Sequence, residues 1–471
     1  MLEKLKKIIP RKFFKALQPV YHYFFSFISA LVFGFPSRKL IVIGVTGTTG
    51  KTSTVYLIAK MLEYSGYKTG FTSTAMFSDG NREWLNDKKM TMPGRFFISR
   101  TLRQMLRNKC RYAIIETTSE GIKQFRHRFI NYDVLIFTGL YPEHIESHGS
   151  FENYRNTKGK LFSHLKNCST KYINEQREVV HPKSEIKKLD LSRIRKTIIV
   201  NGDDNESDYF LNFWSEAKIV YSLDDAQAEN FYLHKMNSDS IVKDFSLLVG
   251  KDIKASGEGT SLIVDNEQIN LRLLGSFNAV NALTAYALGL NQSLEIKKII
   301  KGLEGVKNLA GKIESIETGQ DFKVIIDYSF EPRAMQKLYE VISLIPYERL
   351  IHVLGSAGGG RDKTRRPILG HLAGEKADIV IITNEDPYDE DPLQIIREVS
   401  VGAIDSGKIE NQDLFLVEDR RQAIKKALEL AKENDLVLIT GKGAEQAICV
   451  ANGKKIPWDD RLVAKEELVR L

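Results

Sequence analysis

Along the chain, short apolar runs alternate with stretches of helical spacing. Lys39–Val45 (KLIVIGV) is too continuously apolar for a half-exposed strand and reads as a buried parallel one. A Gly/Thr turn follows, and Lys51–Tyr64 is amphipathic and stops before Gly66. Arg111–Ile115 and Asp133–Phe137 read as two further buried strands. Between about 205 and 270 the pattern is mixed, and alternating runs such as Ser261–Val264 predict small antiparallel strands. From Val306 onward, buried-strand runs recur at Val324–Ile326, Leu350–Leu354, Ile379–Ile382 and Leu436–Ile439, separated by helical segments. Such alternation predicts a doubly wound parallel sheet. No long-period repeat and no low-complexity tract interrupts it.

The first 38 residues follow a different rule. Val20–Phe35 is strongly apolar and is flanked on both sides by basic residues. The chain carries a net charge of +8, yet residues 1–40 hold eight Lys and Arg against Glu3 alone, so the remainder is close to neutral. A nucleic-acid binder would spread basic charge over a folded face, so that class has no support. The apolar run is short for a spanning helix, which needs about 20 residues. A signal peptide is excluded, because no small-residue cleavage site follows and a phosphate-binding loop begins within about ten residues. The arm either docks on the protein's own surface, makes peripheral contact with the inner face of a membrane, or spans it. Three cysteines, Cys110, Cys168 and Cys449, form no metal-ligand spacing and fit reduced thiols in a cytoplasmic protein.

The turn at Gly44–Thr52 reads GVTGTTGKT. Its chemistry is that of a phosphate cradle: backbone N–H groups and a helix N-terminus converge on anionic oxygens. Gly47, Thr48, Thr49, Gly50, Lys51, Thr52 and Ser53 are the candidate nucleotide contacts. Lys51 is placed to meet the β/γ-phosphates and Thr52 to hold Mg²⁺. Val45 stands where the strict motif has glycine. Glu116, ending one buried strand, and His144, just beyond another, supply a carboxylate and an imidazole for the metal. The expected fold is therefore α/β: a central P-loop ATPase-like domain with a parallel sheet over 39–305, then a C-terminal Rossmann-like domain over 306–471.

Seven segments in series resemble the Mur ligase family, nearest its UDP-N-acetylmuramoyl-tripeptide synthetase branch. They are GTTGKTS at 47–53, EHIESHGSFENYRNTKGKLF at 143–162, GSFNAVNALTAYA at 275–287, GKIESI at 311–316, DYSFEP at 327–332, GGGRDKTRRP at 358–367 and GKGAE at 441–445. The resemblance implies an ATP-dependent ligase that activates a carboxylate as an acyl phosphate and joins it to an amino acid, in peptidoglycan precursor synthesis. It implies ATP, two Mg²⁺ ions and a CO₂-derived carbamate on Lys158, with Lys51, Glu116, His144 and Lys158 as the catalytic set. Two metals would clamp attacking and leaving oxygens. By the same resemblance Asn278, Lys312 and Asp327 lie beside the nucleotide. Thr91, Ser119, Gln124 and Arg126 lie against a nucleotide-sugar peptide acceptor. Arg361, Asp386, Tyr388, Gly441 and Glu445 lie around the incoming amino acid. A monomer is implied, its last domain swinging closed on substrates.

Departures from the family pattern shift the substrate. The basic arm stands where the family carries a uridine-binding domain, which opens the way to a lipid-linked acceptor. Diaminopimelate enzymes of this branch carry DNPR where this chain has Glu385-Asp386-Pro387-Tyr388. Tyr388 has no guanidinium fork for a second carboxylate, and Asp386 adds negative charge, so an acidic pocket selecting a basic side chain is expected. Phe330 and Ala444 each replace a family histidine. Competing readings are a ligase on a folylpolyglutamate- or cyanophycin-type acceptor, and a non-catalytic nucleotide-binding homologue. The glycines at 355, 358, 359 and 360 do not spell a dinucleotide fingerprint, which excludes a dehydrogenase.

Overall fold

The computed structural model describes residues 11–142, 148–174, 178–180, 191–226 and 244–471, with side chains from residue 17 onward. His144 and its neighbours 143–147 lie outside the described residues.

Two sheets organise the chain. In the first, Ile41–Thr46 lies between Tyr112–Glu116 and Val134–Phe137, all parallel. Thr197–Asn201, Ala217–Ser222 and Phe245–Ser256 continue the parallel set outward. An antiparallel edge closes it, formed by Gly259–Val264 and Glu267–Leu271. On the other side Thr69–Thr72 pairs parallel with Tyr112–Glu116 and leads into two short antiparallel strands. Period-two alternation explains why the central runs are apolar throughout. Ile41, Ile43 and Val45 point into one core, beneath the helices Lys51–Tyr64 and Phe277–Asn291. Leu40 and Val42 point into the other, with Ile98 and Leu102 of Arg95–Arg107 and Leu161 and Phe162 of Phe151–Leu165.

The second sheet is parallel except at one edge. Leu350–Leu354 lies between Leu436–Ile439 and Ile379–Thr383, with Lys323–Ile326 and Leu414–Val417 outside them. Glu314–Ser315 pairs antiparallel with Lys323–Ile326. Leu350 and Leu354 face one core, Ile351 and Val353 the other, so helices cover both faces.

The expected strands all form, within a residue or two of their ends. Several others go beyond the sequence reading, and three of them show why. Thr69–Thr72 is half polar, Leu414–Val417 is short, and Ala217–Ser222 extends the parallel set inside the region read as antiparallel. In that strand Lys218 and Ser222 are buried, which blurs the apolar signature.

Candidate functional site

The loop after Ile41–Thr46 is shaped by glycine. Gly50 has φ 78°, a left-handed conformation, and a Cβ there would meet Asn281 Oδ1 at 2.7 Å. A Cβ on Gly47 would lie 2.1 Å from Thr138 Oγ1. The backbone can therefore press against its neighbours and turn into the helix Lys51–Tyr64, whose N-terminus no side chain caps. Thr48 N–H donates to the Gly139 carbonyl at 2.8 Å, and Thr138 Oγ1 donates to the Thr49 carbonyl at 2.7 Å, which fixes the loop to the next strand's end.

This loop forms one wall of a cavity of about 450 Å³. Thr48, Thr49, Gly50, Lys51, Thr52, Ser53, Glu116, Asn278, Lys312 and Asp327 all line it, so most of the expected nucleotide contacts come together from both halves of the chain. The Lys51 ammonium donates back to the Thr48 carbonyl of its own loop. Asn278 Nδ2 donates to the Leu274 carbonyl, and its Oδ1 accepts from Asn281 Nδ2. Asp327 accepts from the Ile313 and Ser329 N–H groups and the Ser329 hydroxyl, which holds its carboxylate at the cavity edge. The Lys312 ammonium sits 4.9 Å from the Tyr328 ring centroid.

The donor set fits a magnesium ion beside phosphates. Thr52 Oγ1 donates to Glu116 Oε2 at 2.9 Å, so a hydroxyl and a buried carboxylate converge at the helix N-terminus. Mg²⁺ is held by one or two carboxylates plus phosphate oxygens and waters, and needs no all-protein cage. Accordingly, the described residues hold no group of three His, Cys, Asp or Glu that could bind a metal alone. Thr74, absent from the sequence reading, donates both its N–H and its hydroxyl to Glu116, each at 2.8 Å, and its hydroxyl lies 2.7 Å from that of Thr91. Thr91 is thereby tied, through Thr74, to Glu116.

Lys158 is not a surface lysine. It is 1% exposed in the helix Phe151–Leu165, while Lys160 two residues on is exposed. Its ammonium donates to the Gly47 carbonyl at 2.7 Å and lies 4.6 Å from the Tyr154 ring centroid. Among the residues expected to hold the acceptor, Ser119 Oγ is 3.1 Å from His148 Nε2. Arg126 donates to Gln124 Oε1 at 2.6 Å and to the Met92 carbonyl.

The residues expected around the amino acid are arranged differently from the expectation. Asp386 and Glu445 do come together, but the net acidic pocket predicted from Asp386 is neutralised by two lysines. Lys442 reaches Asp386 at 2.9 Å and Glu445 at 2.7 Å. Lys89, from the central region, reaches Asp386 at 2.6 Å and Glu445 at 2.8 Å, and donates to the Ala447 carbonyl at 2.8 Å. Burial alone would lower the Lys89 pKa, but Glu445 and Asp386 outweigh it and raise it above the usual lysine value. Asp386 is pushed up by burial and pulled further down by Lys442 and Lys89. Tyr328 O–H donates to Glu445 at 3.1 Å, and burial followed by Glu445 raises that phenol well above its ordinary value. Tyr388 packs its ring over Gly359. Arg361 is exposed two residues beyond Gly359 on the same loop. A Cβ on Gly441 would lie 2.7 Å from Glu385 Oε2, so that glycine makes room for a buried carboxylate. Lys442 stands inside the GKGAE segment, where only Gly441 and Glu445 were singled out. Lys89, in NDKKMTM, carried no signal.

A glycine-shaped loop on a helix N-terminus, a hydroxyl–carboxylate pair beside it and a two-sheet cleft define a nucleotide-binding α/β enzyme. Residues 45–289 match the Mur ligase middle domain, and 311–443 match the Mur ligase glutamate ligase domain. The chain belongs to the Mur ligase family. It is 34% identical over 453 residues to a UDP-N-acetylmuramyl-tripeptide synthetase of Borreliella burgdorferi, covering 95% of this chain and 80% of that one. It is 32% identical over 455 residues to the enzyme of the same name from Roseiflexus, covering 94% and 81%. In fold it resembles the folylpolyglutamate synthase of Mycobacterium tuberculosis, with a TM-score of 0.60, 15% identity and coverage of 88% and 91%.

Proposed function

We propose that the chain is an ATP-dependent amide ligase that adds one amino acid to the terminal carboxylate of a muramyl peptide, in peptidoglycan precursor synthesis. The observation that carries this reading is the cavity: phosphate loop, Thr52–Glu116 pair and Asp327 face one space that opens between the two sheets. The acceptor carboxylate attacks the γ-phosphorus of ATP, ADP leaves, and an acyl phosphate forms. The amine then attacks the acyl carbon, phosphate departs with its bridging oxygen, and the amine's proton is released. The protein's share is positioning and charge offset, through Lys51 and the loop N–H groups. Bound Mg²⁺ supplies further charge neutralisation, with Thr52, Glu116 and His144 as its protein ligands.

We assign Lys158 as the carbamylated lysine. Its nitrogen is buried beside the Gly47 carbonyl, next to the phosphate loop, which supports a carbamate serving a second Mg²⁺ there. Segments 1–38, 39–305 and 306–471 act as arm, ATP-binding domain and amino-acid domain. Thr91, Ser119, Gln124 and Arg126 hold the acceptor; Arg361, Asp386, Tyr388, Gly441 and Glu445 surround the amino acid. The enzyme works as a cytoplasmic monomer at the inner face of the membrane.

The test follows oxygen. With an acceptor labelled by ¹⁸O in its carboxylate, acyl phosphate chemistry moves one label into inorganic phosphate. Unlabelled phosphate alongside amide product would overturn the mechanism. A carbamate on Lys158 predicts a ¹³C resonance after exchange with ¹³C-bicarbonate that is missing in Lys158→Ala.

A further inference from the structure

The helix Arg11–Val32 has two faces of different fate. One is docked. Ser29 Oγ lies 2.9 Å from the Arg95 carbonyl and 2.8 Å from Ser99 Oγ, Ser26 Oγ is 3.0 Å from the Phe125 carbonyl, and His22 Nδ1 is 2.7 Å from Arg95. Burial, followed by Arg95, lowers the His22 pKa, so that contact is made by a neutral ring. The other face is bare. Leu17, Val20, Phe24, Phe27 and Leu31 are 55%, 65%, 54%, 39% and 55% exposed. Their spacing of three, four, three and four residues places them on one stripe of an α-helix. Five large apolar side chains in line on an otherwise docked helix cost solvation that scattered surface residues do not.

The sequence around the stripe says what covers it. Residues 1–40 carry eight cations and one anion, and no Asp or Glu occurs between Glu3 and Glu63. A second copy laid along the stripe would bring two such cationic arms together. An anionic bilayer would neutralise one and take up the apolar side chains at the same time. No described helix is long and apolar enough to cross a membrane, which leaves the in-plane arrangement.

We propose that the Leu17–Leu31 face lies in the interfacial layer of an anionic phospholipid bilayer, and that this turns the acceptor end of the central domain toward the membrane. The docked face of the same helix grips the segment that carries Gln124 and Arg126: Ser26 Oγ donates to the Phe125 carbonyl, and Arg95, which meets His22, also donates to the Gln124 carbonyl; Phe27, at the edge of the stripe, keeps its ring 5.4 Å from that of Phe129. An acceptor anchored in lipid is thereby presented to the site at short range. The last two statements rest on the ligase reading; the bilayer contact does not.

Flotation of the full-length protein tests it. With vesicles of phosphatidylcholine and phosphatidylglycerol at 7:3, most of the protein floats; with phosphatidylcholine alone, at least tenfold less does. Raising the salt to 0.5 M reduces the bound fraction without abolishing it, since the apolar contribution persists. Phe24→Glu with Phe27→Glu lowers binding at least tenfold while the circular dichroism spectrum is unchanged, and Val20→Glu with Leu31→Glu does the same should the first pair fail to fold. Wild-type protein that stays in the bottom fraction with the anionic vesicles overturns the proposal. So does a dimer in sedimentation that the stripe variants dissolve, which would give the face to a second copy. Amide product formed from a soluble acceptor reports on the ligase reading separately.

Discussion

Around Lys51, charged groups face a cavity of about 450 Å³; around Asp386 and Glu445, they face one another. The two regions serve one proposed reaction but are built differently. In the first, backbone geometry does the positioning, and among the described residues Lys51 forms no ion pair, so its charge is available to a ligand. In the second, two carboxylates are matched by two ammonium groups, one of them supplied by the other half of the chain. Tyr328 belongs to both: it lines the cavity and donates to Glu445. On the proposed reading, the nucleotide end is ready as it stands, and binding of an amino acid at Asp386 and Glu445 calls for an exchange of partners. With Lys442 in place, withdrawal of Lys89 leaves the acidic pair one positive charge short, and a substrate ammonium would restore it.

The largest effect expected from breaking this contrast is at Lys51. Lys51→Met should reduce ADP release by about 10³-fold, as loss of a preorganised charge at the transition state does, with the folded fraction unchanged by circular dichroism. A loss under tenfold would mean the loop is not the phosphate site. Next comes Lys89. Removing one partner of a buried charge group costs about 3–5 kcal/mol at its upper end, so Lys89→Met should lower the melting temperature. If Lys89 stands in for a substrate ammonium, the same variant lowers KM for lysine and ornithine about tenfold and leaves KM for norleucine and ATP within twofold. An unchanged KM for lysine would make Lys89 a fixed clamp.

The smallest effect concerns acid stability and spans both regions. His352 lies between the Tyr339 and Thr440 hydroxyls; burial, then Arg420, brings its pKa down to about 3. His164 comes down to about 4 through burial, partly offset by its bond to the Ile130 carbonyl. Both stay neutral in the folded state, while the unfolded chain takes up protons near pH 6.5. Below that pH the unfolded state binds more protons, so stability falls with acidity, by up to about 1.4 kcal/mol per pH unit for each ring. Urea midpoints should drop between pH 7 and 5, and ring ¹⁵N shifts should report neutral imidazoles at pH 5. Charged rings at that pH would contradict the burial argument.

The fold was legible where burial on both faces leaves an unbroken apolar run, as in Lys39–Val45 and Leu436–Ile439, and illegible where a buried strand carries polar residues, as in Ala217–Ser222 with Lys218 and Ser222. At the nucleotide site, local order sufficed, because Gly47 to Ser53 is one continuous segment, a loop and the first residues of the helix Lys51–Tyr64, whose chemistry depends on its own backbone. The amino-acid end resisted for the complementary reason. Lys89 lies 297 residues from Asp386, and no spacing rule connects a surface-type lysine in one domain to a carboxylate in another. Counting charges on Glu385-Asp386-Pro387-Tyr388 gave acidity; only the three-dimensional arrangement shows it offset. Thr74 was missed similarly, since its bonds are to Glu116, 42 residues away in the chain.

The most direct test of the central claim is a product assay. Purified protein is given ATP, Mg²⁺, bicarbonate, UDP-N-acetylmuramoyl-dipeptide and a panel of amino acids, and products are read by mass. The account predicts an acceptor heavier by one amino-acid residue, formed one-for-one with ADP. Folded protein that releases no ADP and makes no heavier product, with soluble or lipid-linked acceptor alike, would contradict it.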